Sequence, residues 1–267
     1  MPPSHPLLVQ LTRVWRLSGR WLPNGWLDAI RQLALFAGAY YLYRIVRGIV
    51  DGQAALAFEN ARNLVDAERT LGLFFEPGLQ AWAEGKEWII TSSSWMYVNS
   101  HFVITTTFLI WLYIARNHAF YFVRNMFMVA MGLALVGYMA YPTAPPRFLP
   151  EWGFSDSVAN FVGENAEQSA NVLYNPFAAV PSMHVAFALM IAVPAMMLVK
   201  RRVFKALWAI YPFVVTFVVV ATGNHFIMDA VLGALTAAVS AYVAQFLLAR
   251  ARPHAWAFSH AEAGAPA

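Results

Sequence analysis

The sequence contains no cysteine. That excludes disulfides, zinc–thiolate sites and a thiol nucleophile, and it leaves the redox compartment unread. Charge is scarce as well: 12% of the 267 residues are Asp, Glu, Lys or Arg, where a soluble domain carries about 25%. A water-facing surface cannot be built from so few charges, so most of the surface must face lipid. The 60% hydrophobic content lies in long unbroken runs. Those runs lack the ~10-residue alternation of a membrane β-barrel. Unpaired backbone is too costly in lipid to allow anything else but helices. Residues 1–28 carry Arg13, Arg16 and Arg20 but no apolar core with a small-residue cleavage site, so no cleavable signal peptide is expected.

Crossing ~30 Å of hydrocarbon takes ~20 apolar residues in a helix. Six such spans can be drawn, at 29–50, 90–114, 121–141, 182–199, 205–222 and 226–248. The expected fold is all-α: a polytopic bundle of six transmembrane helices over residues 29–248, preceded by a segment 1–28 and followed by a tail 249–267 that reads as disordered. Between the first two spans, residues 53–71 place Ala54, Phe58, Ala61, Val65 and Leu71 near helical spacing, with Glu59, Arg62, Asp66 and Arg69 between them. That pattern predicts an amphipathic helix lying at the interface. Residues 142–180 form a long connector rich in Pro, Asn and Glu, and connectors of that length are usually functional or disordered.

The positive-inside rule orients the bundle. With the N-terminus in the cytoplasm, the inner segments hold eleven Lys and Arg and the outer ones four, namely Arg62, Arg69, Lys86 and Arg147. The net charge of +4 thus reflects orientation and gives no reason to expect a nucleic-acid partner. Both termini are expected in the cytoplasm. Without any organelle signal, a bacterial plasma membrane is the expected location.

By this topology three short stretches meet at the outer face: Ala144-Pro145-Pro146-Arg147, Pro181-Ser182-Met183-His184, and Gly223-Asn224-His225 followed by Asp229. His225 and Asp229 are four apart and share a helix face. A carboxylate there can hold one imidazole nitrogen as N–H and leave the other free to attack. Pro181 suits the first turn of a helix, whose free N–H groups favour an anion. Ser182 adds a hydroxyl, and His184 is placed to protonate a leaving oxygen. Arg147 offers a planar fork that matches phosphate oxygens. His101, with Tyr97 and Asn99, lies in the outer half of the second span and either lines the site or bonds between helices.

Pro181-Ser182-Met183-His184 and His225-x3-Asp229 resemble the second and third signature motifs of the type-2 phosphatidic acid phosphatase superfamily, and Pro145-Pro146-Arg147 resembles the first. The resemblance covers roughly residues 30–245. It implies a lipid phosphatase or phosphotransferase without metal or other cofactor, acting on a phospholipid or polyprenyl phosphate in the bilayer. It further implies that His225 is the nucleophile, Asp229 its activator, His184 the general acid, and Arg147, Ser182 and Asn224 phosphate ligands. Departures from the usual pattern matter. Ala140 stands where a lysine is usual, and Val218-Val219 where Ser-Arg is usual. Met183 replaces a glycine. The spelling is closer to the inositol phosphorylceramide synthase-like branch, in which a phospho-headgroup is transferred to an alcohol. Arg44 and Arg47, near the outer end of the first span, are the expected replacements for the missing cations. Two other classes compete on the residues alone. One is a simple lipid-phosphate phosphatase. The other is a transporter with a His/His/Asp metal site, against which stands the clustering of polar residues at one face.

Overall fold

A computed structural model describes residues 19, 22–49, 53–163 and 177–258. The chain is all-helical and, among the described residues, forms no strand. Its helices are α1 (Gly25–Ile49), α2 (Ala54–Leu71), α3 (Glu76–Glu84), α4 (Glu87–Ala115), α5 (Asn117–Ala140), α6 (Ser157–Val162), α7 (Met183–Leu198), α8 (Arg202–Ala221), α9 (Ile227–Arg250) and the one-turn α10 (Pro253–Trp256).

Four of these, α4, α5, α8 and α9, are long and apolar enough to cross a membrane. Their outward sides carry bare apolar residues such as Phe102 (73% exposed) and Phe213 (76% exposed), which water would not tolerate at this density and lipid would. The chain is therefore a membrane protein. The other two expected spans fall short in different ways. Helix α7 is apolar but 16 residues long. Helix α1 has 25 residues but is diluted by Asp28, Arg31, Gln32, Arg44 and Arg47.

Helix α7 is the hub. It packs against α8, α9, α5 and α4, and its Ala186, Met190, Ile191 and Ala195 are fully buried. It reaches α8 through a short connector at Val199–Arg201, which forces the two into neighbouring antiparallel positions.

Several expectations need correcting. Helix α5 begins at Asn117, so Arg124 is not in a connector. It is buried two turns into the helix, bonding Gln32 (3.0 Å) and Asn125 (2.7 Å). Residues 249–258, read as part of a disordered tail, are packed: Phe258 lies against Phe122 and its N–H donates to Gln245. Helix α2 forms as expected, with Glu59, Arg62, Asp66 and Arg69 exposed. Its buried stripe is Ala57, Asn60, Ala61, Leu64, Val65 and Glu68, however, and Ala54, Phe58 and Leu71 lie off it. Helix α3, not anticipated, covers α8. The long connector after α5 is not structureless either. It holds turns at Pro146–Phe148 and Pro150–Trp152 and then α6. Residues 164–176 of it lie outside the described residues.

Candidate active site

The site is built where α7 and α9 begin. The turn between α8 and α9 passes through Gly223 at φ +66°, the left-handed conformation that favours glycine. A side chain there would also meet the backbone oxygen of Ser155 and the amide of Gln80 at 3.0–3.1 Å. The turn carries His225 onto the N-terminus of α9. Asp229, at the third helical position, accepts the N–H of Phe226 (3.0 Å) through the same oxygen that lies 3.2 Å from His225 Nδ1. A side chain reaching back to the first free N–H is half of a capping box. Here it also fixes the imidazole. With Nδ1 held, Nε2 is the nitrogen left to react. Both residues are buried, at 6% and 0% exposed.

The N-terminus of α7 docks onto this helix. Ser182 N–H donates to the carbonyl of Asp229 (3.0 Å), and Ser182 is fully buried with its hydroxyl meeting no protein partner. The contact requires Gly233 on α9, because a Cβ there would sit 2.3 Å from the Ser182 carbonyl oxygen. Gly233→Ala is accordingly expected to push the start of α7 away and lower activity about 100-fold, since ~1 Å of misplacement can cost that much. Glycine-to-alanine in a helix is otherwise stabilising. Activity and thermal unfolding measured together check this. Full activity with raised stability would show that the contact is dispensable.

His184, in the first turn of α7, is half-buried. Its ring is 5.7 Å from that of His225 and meets it edge-on. Tyr97 stacks on its other side at 4.7 Å, and His101 lies at 4.9 Å. Both come from the stretch of α4 where a π-helical turn, Met96–Ser100, interrupts the regular helix; such turns are frequent at functional sites. His101 itself is stacked parallel to Phe187, and neither of its nitrogens has a hydrogen-bond partner. Asn99 is exposed and donates to the carbonyl of Trp95 (3.1 Å).

Arg147 is brought in by two backbone ties. Ala144 N–H donates to Ala57 on α2 (3.0 Å), and Arg147 N–H donates to Gly223 (2.8 Å). Its guanidinium bonds Asn224 and lies 3.1 Å from the carboxylate of Asp156. Asn224 is oriented in turn by Thr222, to whose hydroxyl it donates (2.8 Å). The structure thus brings Arg147, Ser182, His184, Asn224, His225, Asp229 and His101 into one region. Arg44 and Arg47 lie on α1, but their side chains fall outside the described residues.

A family model for the PAP2 superfamily matches residues 62–243, well over half of the chain. The chain belongs to the PAP2 superfamily. Members of the PAP2 superfamily are phosphatases and phosphotransferases, so the chain is an enzyme of that general type. The match runs from α2 into α9 and includes all three motif stretches. No curated protein and no solved structure matches the chain. At the two positions where the PAP2 pattern usually has Ser-Arg, Val218 and Val219 are buried. Val219 packs among Val185, Ala188, Val215 and Ala230, and its carbonyl takes the N–H groups of Asn224 and His225 (3.0 and 3.1 Å). Their side chains add packing there and no charge.

Three acids of the region escaped sequence reasoning. Asp156 caps α6 by accepting from Ala159 N–H (2.9 Å) while facing Arg147. Glu68 and Glu76 accept the N–H groups of Met228 (2.8 Å) and Ile227 (3.0 Å) at the start of α9. Burial, reinforced by the neighbouring carboxyls of Glu76 and Asp229, pushes the Glu68 carboxyl up to about 9. One signal did exist: Glu68 continues the buried stripe of Ala57, Ala61, Leu64 and Val65 at helical spacing. No group of three metal-ligating side chains suited to a metal ion occurs among the described residues.

Proposed function

We propose that this chain is a metal-independent lipid phosphotransferase or phosphatase working through a phosphohistidine at the outer membrane face. The observation that carries the proposal is the geometry of His225: Nδ1 anchored 3.2 Å from Asp229, with the ring facing His184 at 5.7 Å. In this mechanism Nε2 of His225 attacks phosphorus, the phosphorus–oxygen bond to the leaving alcohol breaks, and His184 gives that oxygen its proton. Water or a second alcohol then attacks the phosphohistidine. Its proton passes to His184, and His225 is released. Arg147, Asn224, the Ser182 hydroxyl and the first N–H groups of α7 hold the phosphate oxygens. His101, beside His184, lines the acceptor side.

The membrane arrangement belongs to the same proposal. Helices α1 and α7 would join the four longer ones in a six-helix bundle, with both termini cytoplasmic in a bacterial plasma membrane. At about 24 Å, α7 is short for a span. Enclosure by α4, α5, α8 and α9 spares its ends direct contact with lipid. The buried Val218 and Val219 favour transfer over hydrolysis. A phosphodiester donor carries less charge than a phosphomonoester and needs fewer cations, as expected of the inositol phosphorylceramide synthase-like branch. Arg44 and Arg47 are the proposed remaining cations.

The test is an assay in EDTA of the purified protein with phosphatidylinositol, phosphatidate or a polyprenyl phosphate, with and without an alcohol acceptor. A new phospholipid product that requires the alcohol is expected. Free phosphate as the only product would assign hydrolysis. Activity lost in EDTA and restored by a divalent cation would overturn metal independence. Unchanged affinity and turnover in Arg44→Gln would remove that residue from the site.

A further inference from the structure

Three consecutive N–H groups at the start of α9, those of Phe226, Ile227 and Met228, are each taken by a carboxyl oxygen: Asp229, Glu76 and Glu68 respectively. The first is local. The other two come from α2 and α3, about 150 residues earlier in the chain, and both side chains are fully buried (0% exposed). A helix N-terminus stabilises negative charge, but two further carboxylates beside Asp229 would repel one another strongly in so dry a place. The second oxygens of Glu68 and Glu76 meet no donor, while their first oxygens cap adjacent N–H groups, which makes the two buried carboxyls neighbours. A proton held between the two carboxyls satisfies both second oxygens and removes the repulsion.

We propose that Glu68 and Glu76 are positioning residues: a carboxyl pair sharing one proton, which clamps the first turn of α9 and so fixes Asp229 and His225 for reaction. This rests on the reading of His225 as nucleophile and Asp229 as its partner. The pair has one net charge, and Asp229 is the titratable group facing it from α9. It explains why α2 and α3 are tied to the start of α9: they deliver the clamp. It also divides the labour between two helix starts. The N–H groups of α9 are consumed internally, and those of α7 remain for substrate phosphate.

The elevated Glu68 carboxyl gives the proposal a readout independent of activity. A carboxyl whose folded-state pKa lies above its unfolded one stabilises the fold fully below the unfolded value, here about 4.5. It loses that contribution progressively as pH rises to about 9. Glutamine at position 68 accepts from Met228 N–H and donates to Glu76, reproducing the protonated pair at every pH. Thermal unfolding of the full chain in detergent would be followed from pH 5 to pH 9. The wild type is expected to lose several degrees across that range, and Glu68→Gln to lose distinctly less. An identical pH dependence in the two proteins would overturn the shared proton, whether or not either is active. Glu68→Ala, which removes the clamp, is expected to lower kcat more than 10-fold with KM changed less than 2-fold, and Glu68→Gln to recover most of that loss. Full kcat in Glu68→Ala would overturn the positioning role. Failure of the nucleophile assignment is separate, since it would appear as activity in His225→Ala.

Discussion

His225→Ala is expected to reduce turnover by roughly 10⁴-fold or more, the scale seen when a catalytic nucleophile is deleted. In the proposed mechanism His225 is the attacking residue. Its Nδ1 is held by Asp229, and Asp229 is itself locked by the N–H of Phe226. The loss should also be non-additive. Asp229→Asn is expected to cost less than His225→Ala, and the double variant no more than His225→Ala alone, because an orienting group has nothing to orient once the imidazole is gone. A labelled lipid phosphate supplies the direct check. The wild-type protein should retain label in an acid-labile, base-stable linkage, and the His225→Ala protein should retain none. Label retained in the variant would move the nucleophile elsewhere.

His184→Asn should produce the second largest effect, and its size should depend on the leaving group. Losing a general acid typically costs 10²–10⁴-fold. The cost falls on substrates whose leaving oxygen needs a proton, such as the hydroxyl of a lipid alcohol. A nitrophenyl phosphate leaves as a stable anion and needs none. The variant is therefore expected to lose about 10³-fold on the lipid substrate and far less on the aryl phosphate. The fold should survive the exchange, because asparagine is smaller than histidine and position 184 is half-buried. Equal losses on both substrates would show that His184 binds phosphate and does not protonate the leaving group.

Much of this was legible in the sequence, and particular residues show why. The helix pattern is written in composition, because lipid demands unbroken apolar runs. The expected spans at 90–114, 205–222 and 226–248 became Glu87–Ala115, Arg202–Ala221 and Ile227–Arg250. His225 and Asp229 do meet, but not as neighbours on one helix: His225 precedes the extended N-cap Phe226, and Asp229 reaches back from the first turn to both. Arg147, Ser182 and His225 lie near one another in the fold, Arg147 through Asn224 and Ser182 through the carbonyl of Asp229. Arg124 was misplaced for the opposite reason. Its charge looks like a connector, but Gln32, Asn125 and Trp256 give it a buried partner set that composition does not reveal.

The sequence by itself determined that the chain is a helical membrane protein and which motif family its His184, His225 and Asp229 stretches resemble. Those properties depend on local composition and on short spacings along the chain. The tertiary structure alone decided that Asp156 faces Arg147, that Tyr97 and His101 flank His184, that Gly233 must lack a side chain, and that Glu68 and Glu76 hold the start of α9. Each of these joins segments distant in the chain, up to 160 residues apart for Glu68 and Met228. A buried carboxyl finds its backbone donor only once packing has brought the two helices together. A glutamate read in isolation looks the same whether it faces water or closes a catalytic helix.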